Sequence, residues 1–147
     1  MNVFFPTIGT QLRLLDGWRF RAYGEYRNAS LFWALGIQVS WRDLPYGDDC
    51  GRFDMYTLEP GTVLQVDRIY LRKGQEAFDS ITFLIIDSPD ERLLPWKKPS
   101  AKGTFANGAV RFWVRLGDAN AIVGEFITGH PARVRRENSR LHETAYR

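Results

Sequence analysis

The chain has 147 residues, 44% hydrophobic, 25% charged and 14% aromatic, a balance that excludes global disorder and leaves room for one core but little for a second. The net charge of +3 is carried by residues 131–147, where five arginines face two glutamates; the other 15 basic and 15 acidic residues cancel, which excludes a uniformly cationic body. The single cysteine, Cys50, excludes an internal disulfide framework and a four-thiolate zinc site, and no run approaches the roughly 20 apolar residues of a spanning helix. These bounds predict one β-rich domain over residues 1–130, a basic C-terminal tail over 131–147, a cytoplasmic location and no membrane partner.

Along the chain, period-2 alternation recurs and helical periodicity is confined to one short window. The expected fold class is all-β with minor α: a small, partly open β-barrel (SH3-like) or a sandwich, with one short helix and a long loop. In QLRLLDGWRFRAY, Leu12 and Leu14 share a face, and after Asp16-Gly17 so do Trp18, Phe20 and Ala22, with Arg13, Arg19, Arg21 and Tyr23 opposite. Asp-Gly between two alternating segments predicts a hairpin. ASLFWAL, with Asn28 or Ser30 as cap and Gly36 as stop, predicts about two turns of helix.

GDDCGRFD offers Asp48, Asp49 and Asp54 as hard oxygen ligands for a divalent cation, with Cys50 as a nearby nucleophile. The spacing does not match an EF-hand loop, and a solvated acidic turn accounts for the same residues, so no metal and no cofactor is expected. Glu59-Pro60-Gly61-Thr62 supplies turn chemistry ahead of a strand beginning near Thr62. In that strand Leu64 and Val66 lie on one face but Ile69 and Leu71 on the other, which predicts a bulge near Asp67-Arg68. Lys73 to Asp79 then forms a hairpin loop into SITFLIID, apolar on both faces and expected to lie inside a sheet. The segment GTVLQVDRIYLRKG resembles the opening of an SH3-like small barrel over one hairpin, and it carries no functional motif.

Ser88 to Gly108 has three prolines and little regular pattern, as in a long loop that is either functional or mobile. Within it Leu93, Leu94 and Trp96, followed by Lys97 and Lys98, form an apolar anchor suited to a protein interface, or else a lid over the barrel end. VRFWVRL alternates, with Val110, Phe112, Val114 and Leu116 inward and Arg111, Trp113 and Arg115 outward; Gly117-Asp118 breaks it, and AIVGEFI returns as a short last strand. Gly9-Thr10-x-Leu12-x-Leu14 echoes Gly61-Thr62-x-Leu64-x-Val66, as two turns opening two strands would without any duplication.

GxSxG, HExxH, GxxxxGK[ST] and GxGxxG are all missing, and His130 and His142 have no Cys or His at metal-ligand spacing, so catalysis is not expected. The recurring signal is basic and aromatic residues on outward faces: Arg19, Arg21, Tyr23; Arg68, Tyr70, Arg72; Arg111, Trp113, Arg115. On neighbouring strands these make an aromatic platform fringed by guanidinium groups, on which bases stack while arginines meet phosphate. Arginine stems covering a sheet face, cross-paired with carboxylates, would give the same pattern. The function expected is noncatalytic binding of single-stranded nucleic acid or a nucleoprotein, with Arg133, Arg135 and Arg136 of the tail adding phosphate affinity. The alternative is a protein-binding adaptor or inhibitor, of the type mobile elements encode, acting through the Trp96 loop; a metal-dependent hydrolase at Asp48 and Asp49 ranks third.

Overall fold

The computed structural model describes residues 7–37, 53–74, 79–95 and 108–127. Among these residues seven strands, β1 (Gln11–Leu14), β2 (Trp18–Tyr23), β3 (Phe53–Leu58), β4 (Val63–Tyr70), β5 (Ser80–Asp87), β6 (Arg111–Arg115) and β7 (Gly124–Ile127), form two antiparallel sheets. The larger has the order β6-β5-β4-β1-β7 and the smaller is the pair β2-β3. Helix α1 (Ala29–Ala34) and the single turn α2 (Leu116–Ala119) complete an all-β architecture with minor α, which is not a closed barrel. Among the described residues no helix is long and apolar enough to cross a membrane.

The alternation read from the sequence places the core. Trp18 and Phe20 of β2 meet Phe83 of β5 and Phe112 of β6: Trp18 stands edge-on to Phe83 at 5.8 Å, and Phe20 stacks on Phe112 at 5.1 Å. Leu12, Leu14, Leu64, Val66, Ile69, Ile81, Ile85 and Val114 fill the space between the sheets, and Leu31 and Phe32 of α1 join the same cluster. Leu93 also belongs to this core at 3% exposure, so it anchors its own loop inward and is not the exposed interface residue the sequence suggested.

Asp16-Gly17 does not make a hairpin. β1 is flanked on one side by β4 and on the other by β7, so both its hydrogen-bonding edges are taken, and the turn carries the chain across to the other sheet, where β2 pairs with β3. The expected bulge is present: Val66 is opposite Phe83 and Arg68 opposite Thr82, leaving Asp67 as the extra residue. β5 is interior, between β4 and β6. α1 ends where Leu35 N–H donates to Leu31 O and Gly36 takes φ 74°, a left-handed value that glycine accepts without strain.

The internal echo corresponds to two strand openings that face one another. Gly9 (φ 90°) donates to Val66 O at 2.7 Å, and Gly61 (φ 93°) donates to Leu14 O at 2.8 Å. Val66 N–H donates to Thr10 O and Leu14 N–H to Thr62 O, both at 2.9 Å, and Leu12 sits opposite Leu64. Exchanging β1 with β4 reproduces the pattern.

At the sheet edge, β7 approaches β1 closely because Gly124 has no side chain. A Cβ there would lie 2.9 Å from Arg13 O and 3.2 Å from Leu12 Cδ1. Gly124→Ala is therefore expected to cost about 1–3 kcal/mol, read as a lower urea midpoint at unchanged slope. A variant as stable as the parent would mean that the strands do not hold that separation.

Candidate functional site

The bulge at Asp67 builds the outer face of the larger sheet. With strict alternation, Arg68 and Tyr70 would follow Leu64 and Val66 into the core; the extra residue turns them outward and puts Ile69 in. Register then forms rows on that face: Arg68–Thr82–Trp113, Tyr70–Ser80–Arg115 and Gln65–Leu84–Arg111. Two of the three predicted triplets thus share this face, Arg68 and Tyr70 on β4 and Arg111, Trp113 and Arg115 on β6, with β5 between them.

The third triplet reaches them through a wrap around the β6 edge. Beyond β2 the chain passes through a 3-10 turn at Tyr26–Asn28 into α1, and this segment supplies the hydrogen bonds that an edge strand leaves open. Asn28 Oδ1 accepts from Trp113 N–H at 2.8 Å while Asn28 Nδ2 donates to Tyr23 O at 2.9 Å. Ser30 Oγ accepts from Arg111 N–H at 2.9 Å and donates to Arg111 O at 2.7 Å. Asn28, one of the two residues expected as the helix cap, stands at the N-cap position of α1, but its side chain makes no cap bond and, like that of Ser30, pairs with β6.

The wrap covers Trp113. Tyr23 stacks on it with centroids 5.2 Å apart and planes 8° from parallel, and Trp113 is fully buried with Tyr23 at 6% exposure. The expectation that Trp113 stands outward as an open platform is corrected: it is on the outer face, but that face is covered. Arg27, to which local pattern assigns no role, lies over Trp113 at 4.9 Å and over Tyr70 at 5.9 Å. Glu25, fully buried, holds it: Arg27 Nε donates to Glu25 Oε2 and Arg27 N–H to Oε1, each at 2.6 Å, and Nη2 completes the ion pair.

A continuous seam results. Arg21 lies over Phe53 at 5.5 Å, Phe53 meets Tyr23 at 5.4 Å, and Arg115 lies over Tyr23 at 4.6 Å. Tyr23 leads to Trp113, Arg27 and Tyr70, and the Tyr70 hydroxyl accepts from Arg68 Nη1 at 3.2 Å. Each arginine over a ring gains about 0.5–1 kcal/mol, more where water is excluded. That hydrogen bond from Arg68 to Tyr70 raises the Arg68 pKa above its usual value, against the opposing effect of burial. Burial pushes the Asp67 carboxyl up from the usual carboxylate range, while the nearby Arg111 and Arg68 guanidinium groups pull it down.

Of the predicted residues, Arg21, Tyr23, Arg68, Tyr70, Trp113 and Arg115 are joined in this seam. Arg21 is fixed at its margin by Asp118, which accepts from Arg21 N–H at 2.9 Å and from Nη1 at 3.4 Å. Arg19 is exposed opposite Thr57, Arg111 is tied to Ser30, and Arg72 lies beyond β4 with its N–H donating to Asp79 Oδ1 at 2.6 Å. Trp96, Lys97, Lys98, Arg133, Arg135, Arg136, Asp48, Asp49, Cys50, His130 and His142 lie outside the described residues. Asp54 is exposed on β3 opposite Ala22, and Leu94 is half-buried. Glu25, Arg27 and Phe53 were missed; the only signal for the first two was a carboxylate and a guanidinium two residues apart in a break between elements. Comparison with protein-family models, curated proteins and solved structures gives no match.

Proposed function

We propose that the protein is a noncatalytic module of the cytoplasm that binds single-stranded nucleic acid, alone or within a nucleoprotein, along this seam. The observation that carries the proposal is the convergence of guanidinium groups from β2, β4, β6 and the 3-10 turn on one line of aromatic rings. Among the described residues, the seam's Arg21, Arg27, Arg68 and Arg115 stand beside two carboxylates, Asp118 paired with Arg21 and Glu25 paired with Arg27. Oriented guanidinium groups in excess over carboxylates suit a phosphate backbone. Against this, the protein-binding reading finds support in Phe53 and Met55, exposed on β3 beside Arg21, and not in Leu93.

Fluorescence anisotropy with a labelled single-stranded oligonucleotide tests the proposal. Binding is expected at about 50 mM salt and should fall steeply by about 200 mM, as counterion release requires. Deleting residues 131–147 should weaken it and flatten the salt dependence, because that segment carries the whole net charge. No detectable binding at low salt would eliminate the nucleic-acid reading and leave protein binding ahead.

A further inference from the structure

A strand lying along the seam could be gripped by its bases or by its backbone, and we infer that it is gripped by its backbone: the guanidinium groups take phosphodiester oxygens, and the rings support those groups instead of stacking on bases. The inference rests on the nucleic-acid reading above and narrows it. Tyr23 and Trp113, the two rings that stack on each other, are both buried, and each lies under a guanidinium group, Arg115 at 4.6 Å and Arg27 at 4.9 Å. A base could reach either ring only by displacing the protein's own groups. Arg27 by contrast keeps 23% of its side chain exposed, and Arg68 and Arg115 are only part-buried.

The same face is rich in donors. Its exposed donors are guanidinium groups, with the side chains of Arg21 and Arg27 48% and 23% exposed, whereas Trp113 Nε1, Arg68 Nε and Ser80 Oγ are buried beyond a ligand's reach. Glu25, the nearest carboxylate to Arg27, is already engaged by it. Exposed guanidinium groups that only donate select a group that only accepts and is anionic. In a nucleic acid that is the phosphodiester, whereas base edges present donors as well as acceptors.

The full chain is titrated at low salt with two labelled strands of equal length, oligothymidylate and an abasic phosphodiester strand. Comparable affinities and equal salt slopes are expected. Base stacking would instead make the abasic strand about 5- to 150-fold weaker for each base lost, which would overturn the inference and leave the nucleic-acid reading standing. If neither strand binds, both fall. Arg68→Gln and Arg115→Gln, checked for folding by circular dichroism, should each lower the salt slope by about 0.7 on both strands. Unchanged slopes in both folded variants would remove these side chains from the interface and overturn the assignment.

Discussion

Trp113→Ala is expected to lose about 3–5 kcal/mol of folding stability, the cost of emptying a fully buried aromatic site. Tyr23 would lose its stacking partner at 5.2 Å and Arg27 the ring beneath it, so the wrap over β6 would loosen as the cavity opens. Urea unfolding followed by circular dichroism measures this directly. A loss of about 0.5 kcal/mol or less, as at an ordinary surface position, would mean that Trp113 is not covered by residues 23–30. Because the damage is to stability, a binding defect in this variant is interpretable only under conditions where it remains folded.

Glu25→Ala should destabilise by about 3 kcal/mol, near the low end for a broken buried ion pair because Arg27 retains some contact with water. The loss comes mainly from the guanidinium group left against Trp113 and Tyr70 without the Glu25 carboxylate. Arg27→Met in the same chain should therefore restore part of the stability, since replacing both charges removes the desolvation cost of both. A double-mutant cycle gives the coupling. Additive losses in the cycle would show that the two side chains do not act as a pair.

Period and phase were legible in the sequence wherever burial alternates along one strand. The inward set Trp18, Phe20 and Ala22, the phase change at Asp67 and the inward set Phe112 and Val114 all follow from where apolar side chains can go. What local pattern does not carry is the partner of an edge or the cover of a face. Asp16-Gly17 marks a reversal, but β4 and β7 had already claimed both edges of β1, so the reversal leads to another sheet. Alternation placed Trp113 on the face opposite Phe112, correctly, yet whether that face meets water depends on Asn28, 85 residues earlier in the chain. Asn28 itself follows the cap preference by position while serving β6 by geometry, because a buried strand N–H left unpaired costs more than an unfilled cap. The seam was visible as three triplets; its central arginine was not, since Glu25 and Arg27 lie in a break where no period assigns burial.

The reciprocal glycine turns of β1 and β4 solve a problem of slippage. Shifting β1 by one residue would drive Leu12 and Leu14 out of the core, so hydrophobicity forbids it, but a shift by two returns the same side chains to the same face. Hydrophobicity cannot detect that error. The turns can: a two-residue shift carries Gly9 N–H away from Val66 O and Leu14 O away from Gly61 N–H, each by roughly 7 Å. With one stop at each end of the pair, sliding in either direction breaks both contacts together, so four-residue β1 is indexed as firmly as a longer strand would be.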